Sequence, residues 1–248
     1  MAEIKTSEYV VSIDKLAPEF ADYRILQISD IHLGRGNRAG SILETVSRLQ
    51  ADLVVLTGDM VHRKDSIHLL APFLSDLART IHPPDGFFGV WGNHDLWVSD
   101  NDVKDLPIRW LNNELVQIRR ASAVMNLIGV IQKDWTRMDL VTPLKSAVPE
   151  APIILLAHFP STVYLCNGII DLVIAGHTHA GQVRLPGLPF ATNDDLSWRH
   201  ARGVSKIGKT TLVISAGIGH SGPLAFRCFA PPEVTLIRVT HIFPTFSK

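Results

Sequence analysis

Five short apolar runs, each cut off by an Asp, Asn or His, constrain this chain more than any other feature. Residues 24–29 (RILQIS) run into Asp30-Ile31-His32, and residues 52–57 (DLVVLT) run into Gly58-Asp59. Residues 87–91 (FFGVW) run into Gly92-Asn93-His94-Asp95, residues 152–157 (PIILLA) into His158, and residues 171–175 (DLVIA) into Gly176-His177-Thr178-His179. Runs of this length, rich in Val, Ile and Leu and bounded by turn residues, read as buried strands. Helical patterns lie between them. Residues 41–50 carry Ile42, Val46 and Leu49, and residues 65–81 carry Ile67, Leu70, Phe73, Leu74, Leu77 and Ile81 on one face, with Asp65 or Ser66 as N-cap. A short helix is expected over 161–166, after Pro160. This alternation predicts an α/β fold. The runs at 126–130, 211–216 and 233–239 have fewer helices between them and predict a second sheet. The reading is a two-sheet sandwich flanked by helices, in one domain spanning residues 1–248.

In open α/β sheets the ligand crevice lies at the carboxyl ends of the strands. Polar residues far apart in sequence therefore converge on one edge. Any single one of them reads equally well as a cap or turn residue; five such boundaries together do not. The side chains also suit one chemistry. Carboxylate, carboxamide and imidazole groups are ligands for manganese, iron or zinc, and no thiolate is needed. Asp30 and His32, one residue apart, can turn to one ion, and Asp59 has two oxygens with which to bridge two ions. Asn93 supplies a neutral oxygen, which limits negative charge where a phosphate must bind. His177 and His179 have the same spacing as Asp30 and His32, so one can serve each metal.

Composition narrows the class of partner. Lys plus Arg and Asp plus Glu both number 24, so the formal net charge is zero. Long nucleic acid is not expected, because phosphate-tracking surfaces carry a basic surplus. Two cysteines, Cys166 and Cys228, are too few for a disulfide framework. The N-terminal residues lack a signal peptide or membrane anchor, and no segment reaches transmembrane length without charges. A cytoplasmic protein is expected, with peripheral membrane association left open.

The five blocks, in order, resemble the calcineurin-like metallophosphoesterase superfamily, whose pattern is D-x-H, G-D, G-N-H-D/E, a lone H and G-H-x-H. The resemblance implies a four-layer α-β-β-α sandwich of two mixed sheets, with two divalent ions at the strand C-terminal ends. It places one metal on Asp30, His32, Asp59 and His179 and the second on Asp59, Asn93, His158 and His177. It implies that a metal-bridging hydroxide attacks phosphorus in line. His94 would protonate the leaving oxygen, and Asp95 would orient its ring. The stretch 176–186 (GHTHAGQVRLP) and the tail blocks at 215–219, 224–227 and 232–236 are similar to a bacterial subgroup of phosphodiesterases. That subgroup includes one type of UDP-2,3-diacylglucosamine pyrophosphatase. A small-molecule or lipid-linked phosphodiester or pyrophosphate is the substrate class this implies.

Residues 186–202, rich in loop formers, follow the last ligand and are expected to border the site. Arg184, Arg199, Arg202 and Arg227 are candidates for gripping a second anionic group. An ordinary surface role is the alternative for each. Trp198 and His200 suit either stacking or packing; His62 lies three residues beyond Asp59, within reach of the site, and His220 stays open. Two other functions fit the same residues: a cyclic-nucleotide phosphodiesterase or nuclease, and a non-catalytic scaffold of the same fold.

Overall fold

The computed structural model describes residues 3–36, 38–132, 138–166, 168–185, 188–189, 194–222 and 226–241. The chain runs β1 (Lys5–Ser12), β2 (Tyr23–Ile28), α1 (Ala39–Val46), β3 (Leu53–Thr57), α2 (Leu70–Thr80), β4 (Phe87–Val90) and β5 (Ile108–Trp110). It continues through β6 (Glu114–Arg120), β7 (Ala123–Gly129), α3 (Val141–Leu144), β8 (Ile153–Leu156) and β9 (Leu172–Ala175). A two-residue ribbon, β10 (Arg184–Leu185) and β11 (Leu188–Pro189), precedes β12 (Gly203–Ile207), β13 (Thr210–Ile214) and β14 (Glu233–Thr240). Two mixed six-stranded sheets result, ordered β1-β14-β2-β3-β4-β5 and β12-β13-β9-β8-β7-β6.

Strand alternation builds the layers. In β2 and β3, Ile25, Leu53 and Val55 point between the sheets, where they meet Leu127, Ile154, Leu156, Leu172 and Ile174. Leu26, Ile28, Val54 and Leu56 point the other way, onto Ile42 and Val46 of α1 and Leu70, Phe73 and Leu77 of α2. Both faces of these strands are buried, which is why they read as continuous apolar runs rather than alternating ones. The outer face of the second sheet, through Leu155, Val173 and Leu212, is covered by Val163, Cys166 and Leu196, with Leu144 packed beside them. The four-layer sandwich is therefore present, with short helical turns as its last layer.

Three expectations change. Residues 233–239 belong to the first sheet, not the second: β14 pairs parallel to β1 and antiparallel to β2. A strand buried on both faces carries no alternation to say which sheet it joins. The helix expected over 65–81 is a 3-10 turn (Lys64–Leu69) followed by α2, and neither Asp65 nor Ser66 caps it. The Ser66 hydroxyl instead donates to Asp65 Oδ1 at 3.1 Å. The first helix begins at Ala39 and ends at Val46, where single turns closed by Arg48 and Leu49 N–H groups take over.

Candidate metal centre

The five polar boundaries meet at one place, but at the edges of two sheets. β2, β3 and β4 deliver Asp30, His32, Asp59 and Asn93 from the first sheet, and β8 and β9 deliver His158, His177 and His179 from the second. The last two of the five runs thus belong to the second sheet. Gln27 joins the sheets just beneath the site, its amide donating to Thr57 Oγ1 (2.8 Å) and to the Ala175 carbonyl (2.7 Å).

Five of the seven candidate ligands sit in the left-handed backbone region: Asp30 (φ 51°), His32 (50°), Asp59 (55°), His177 (69°) and His179 (50°). Side chains with a Cβ enter that region at a cost of about 1–3 kcal/mol each, so the surrounding hydrogen bonds must hold them there. They do. Asp30 N–H donates to the Gly58 carbonyl, His32 N–H to the Asp59 carbonyl, and His177 N–H to both Asp30 carboxylate oxygens at 3.0 and 3.1 Å. Each sharp left-handed step turns a strand end so that its side chain faces the gap between the sheets.

Two clusters share Asp59. Asp30, His32, Asp59 and His179 form one, and Asp59, His158 and His177 the other, all buried. Asp59 Oδ2 lies 3.5 Å from His32 Nε2 and Oδ1 lies 3.4 Å from His158 Nε2, so each carboxylate oxygen serves one cluster. Asn93 Oδ1 joins the second at 3.1 Å from His158 Nε2. Within the clusters, His32 Nε2 and His179 Nε2 are 3.1 Å apart, and His177 Nδ1 and His158 Nε2 3.2 Å. Buried nitrogens facing one another at such distances, with carboxylates on hand, fit a cation between them.

Orientation comes from outside the clusters. His158 Nδ1–H points at the Thr57 carbonyl at 2.9 Å, which leaves Nε2 for the site, as a ligating histidine requires. Gln132 Oε1 accepts the N–H groups of His158 (2.5 Å) and Phe159 (2.8 Å). Asp30 is fixed by the Ser29 hydroxyl at 2.5 Å. Charge follows the geometry. Burial works against the Asp59 carboxylate, but His158 and His32 outweigh it and hold its pKa far below the usual carboxylate range. Burial works against His158⁺ too, and Asp59 prevails, raising it to about 9. Burial pushes His32 down to about 3 and His179 well below the ordinary imidazole value. Burial and the nearby Asp59 charge push Asp30 up to about 6.

His94 stands beside the first cluster, its ring 4.7 Å from that of His32 and perpendicular to it. Its Nδ1–H points at the His62 carbonyl, 3.1 Å away, which frees Nε2. The expectation for Asp95 is corrected here. Asp95 does not touch the His94 ring. Its Oδ1 accepts the N–H groups of Met60 (2.9 Å) and Val61 (3.1 Å) and its Oδ2 that of Gly92 (2.9 Å), tying the turn after β3 to the turn after β4. In the 3-10 turn Asn93–Trp97 consecutive side chains point apart, so the Asp95 carboxylate does not reach back to the His94 ring.

The arginines divide. Arg227 is corrected as a substrate grip, because it is spent on the protein: it donates to the carbonyls of Gly219, Ala216 (twice) and Ala230, and its Nη2 lies 2.9 Å from His179 Nδ1. Arg202 pairs with the buried Glu233 at 3.0 Å. Glu233 also accepts the N–H of Ala216, on the loop against Asp30. Arg199 is exposed, and His200 meets Ser205 Oγ at 2.8 Å. Arg184 starts β10, while its side chain, that of Trp198, and residues 186–187 and 190–193 lie outside the described residues. His62, placed within reach by its spacing from Asp59, does join the surroundings of the site, as do Gln132 and Arg35, which no motif marks. A mainly apolar cavity of about 490 Å³, lined by Leu33, Gly36, Arg38, Leu69 and Phe73, opens beside the loop that carries His32.

Comparison with known proteins defines the class. The calcineurin-like phosphoesterase family profile matches residues 23–181, and the chain belongs to that family. It is a metal-dependent phosphoesterase. An uncharacterised metallophosphoesterase of Aquifex aeolicus is 29% identical over 95% of this chain and 92% of its own length. The phosphodiesterase YaeI of Escherichia coli is 28% identical over 88% and 83%. Some relatives are longer, and the chain spans 65% of a Helicobacter pylori metallophosphoesterase that is 30% identical. The phosphopantetheinyl hydrolase of Mycobacterium tuberculosis shares the fold, with a TM-score of 0.50 at 11% identity over 79% of this chain and 89% of that one. Among the described residues, no helix is long and apolar enough to cross a membrane.

Proposed function

We propose that this chain hydrolyses a phosphodiester or pyrophosphate bond in a small or lipid-linked substrate at a dinuclear metal centre. The observation that carries the reading is Asp59, which turns one carboxylate oxygen to each of two buried ligand clusters. Asp30, His32, Asp59 and His179 would hold one divalent ion, and Asp59, Asn93, His158 and His177 the other. Manganese, iron or zinc suits this set. Bound there, such a pair supplies a water-derived nucleophile at neutral pH and neutralises charge on the phosphoryl oxygens.

The chain's own residues do the rest. Asn93 completes its cluster without adding negative charge, so a phosphate anion meets less repulsion. His94 keeps its Nδ1–H on the His62 carbonyl and presents Nε2 as the proton donor to the leaving oxygen. Gln132 and Thr57 hold His158 in the ligating orientation. Pairing of β14 with both β1 and β2 supports one domain over residues 1–248. The absence of a spanning helix among the described residues is compatible with a cytoplasmic site of action.

Bis-p-nitrophenyl phosphate with added manganese, against a chelated control, tests the reading. Metal-dependent release of p-nitrophenol is expected. No release with any divalent ion, despite two metals bound per chain, would point to a scaffold. A parallel panel of UDP-diacylglucosamine, cyclic AMP and a phosphomonoester separates pyrophosphatase from cyclic-nucleotide phosphodiesterase.

A further inference from the structure

None of the seven candidate ligands lies in the tail blocks at 215–219, 224–227 and 232–236, yet described residues of all three meet beside the first cluster. Residues 216–219 follow β13 and press on the ligand turn after β2. Ile218 N–H donates to the Ser29 carbonyl at 3.2 Å and Gly219 N–H to the Asp30 carbonyl at 2.6 Å. A Cβ on Gly217, which has φ 67°, would fall 2.6 Å from that of Asp30. Arg227 ties the same segment to His179, through the Ala216 and Gly219 carbonyls on one side and His179 Nδ1 on the other. Asp30 and His179 both belong to the first cluster and neither to the second.

A segment with glycine at 217 and 219 has little conformational preference of its own, so its neighbours must hold it. Glu233, fully buried at the start of β14, does so with both main chain and side chain. Its N–H donates to the Gly217 carbonyl at 3.0 Å, and its Oε1 accepts the Ala216 N–H at 2.8 Å. Its Oε2 accepts from the Ser7 hydroxyl at 2.6 Å and from Arg202 Nη2 at 3.0 Å. Stability alone does not account for a carboxylate buried there, since apolar replacements of buried ion pairs are often neutral or better. An apolar side chain could not accept the Ala216 N–H. We infer that Glu233 is a positioning residue for the first cluster: its carboxylate, held by Ser7 and Arg202, clamps residues 216–219 against Asp30. It acts on a bound ion only through that segment. The inference rests on the two-ion reading and adds to it a residue that sets the affinity of one ion and not the other.

Glu233→Gln keeps the volume but turns amide N–H groups toward donors, so one arm of the carboxylate is lost. Manganese calorimetry of the unaltered protein should resolve two ions. In Glu233→Gln one affinity should fall roughly 10–100-fold and the other stay within about threefold. Asp30→Asn marks the first-cluster ion, and adding Glu233→Gln to it should cost less than about threefold more. Equal losses of both ions, no loss, or losses that multiply in the double variant would overturn the proposal. Amide exchange in the metal-free protein gives a readout that needs no ion. The amides of Ala216, Ile218 and Gly219 should exchange roughly tenfold faster in Glu233→Gln. They should also exchange faster in Ser7→Ala, the milder variant, which takes one donor from Oε2. Unchanged rates in a folded Glu233→Gln, or in Ser7→Ala should Glu233→Gln not fold, would overturn the clamp. If the unaltered protein binds no manganese, the two-ion reading fails, and these rates alone decide whether Glu233 holds the Asp30 turn.

Discussion

At the scale of the residue, adjacent His94 and Asp95 do opposite work. His94 offers a free ring nitrogen to the site, whereas Asp95 is buried and spends its carboxylate on three backbone N–H groups. His94→Ala should therefore keep both metals and the fold while losing roughly 10²–10⁴-fold in kcat on alkyl leaving groups. It should lose far less on p-nitrophenolate, which needs no proton. Equal losses on both leaving groups, with metal content intact, would take the acid role from His94. Asp95→Asn should act on stability, at about 1–3 kcal/mol, because an amide presents one acceptor oxygen where two are used. Burial, then the Asp59 charge, pushes the Asp95 carboxyl up to about 7 despite its N–H donors. A carboxyl whose folded pKa lies above its unfolded one keeps its proton longer when folded. Its contribution to stability accordingly falls as pH rises from about 4 to about 7. Urea unfolding of the metal-stripped protein across that range should show a flatter pH dependence in Asp95→Asn; parallel curves would show that Asp95 titrates alike in both states.

At the scale of the element, the glycines of the ligand turns are close-packing sites. A Cβ on Gly92 would collide with Asp59 Oδ1, the Asp59 N–H and the His158 ring, and one on Gly176 with Ser29 Oγ and Asp30 Oδ2. Gly40 in α1 has nothing within 4 Å of that position. Gly92→Ala should thus lower the amount of divalent metal bound per chain while circular dichroism stays native. Gly40→Ala should leave metal content alone and gain about 0.5–1 kcal/mol of stability. Unchanged metal content in Gly92→Ala would show that the turn relaxes without moving Asp59. The same packing explains what could be read in advance. Strand ends were legible because buried β-rich runs stop abruptly at polar residues, and Asp30, His32, Asp59, Asn93, His158, His177 and His179 all fall at such stops. The sheet membership of β14 was not legible, since a strand buried on both faces looks the same in either sheet. Nor was the Asp95 contact, because sequence neighbours on a 3-10 turn need not share a direction. Gln132 lay hidden for a different reason: it acts through one amide oxygen, which no spacing pattern records.

At the scale of the whole molecule, the two sheets are joined at both ends of their strands by different chemistry. At the carboxyl ends the candidate ligands and Gln27 span the gap. At the opposite end Arg120, closing β6 of the second sheet, reaches across to Asp52 and Asp85, which precede β3 and β4 of the first. Nη2 bonds Asp52 Oδ1 at 2.8 Å and Nε bonds Asp85 Oδ2 at 3.2 Å, while the Tyr23 hydroxyl donates to the same Asp85 oxygen at 2.7 Å. The guanidinium also lies 4.6 Å over the Tyr23 ring. Burial, then Asp85, pushes the Tyr23 phenol far above its usual pKa, so it stays a donor throughout the working range. The arginine is 28% exposed and its partners 24% and 17%, so solvent screens the pair in part and a fully buried ion-pair energy would overstate it. Arg120→Met keeps the length of the stem but leaves two neighbouring carboxylates without their shared cation, at a cost of about 1–2 kcal/mol. The metal centre is at the other end of the strands, and nothing on Arg120 reaches it. Arg120→Met should therefore lower the urea midpoint while metal stoichiometry and the KM for bis-p-nitrophenyl phosphate hold. If metal affinity fell in step with stability, the two ends would be coupled through the β3 and β4 strands, and the sandwich would respond as one rigid body rather than as two sheets clasped separately at each end.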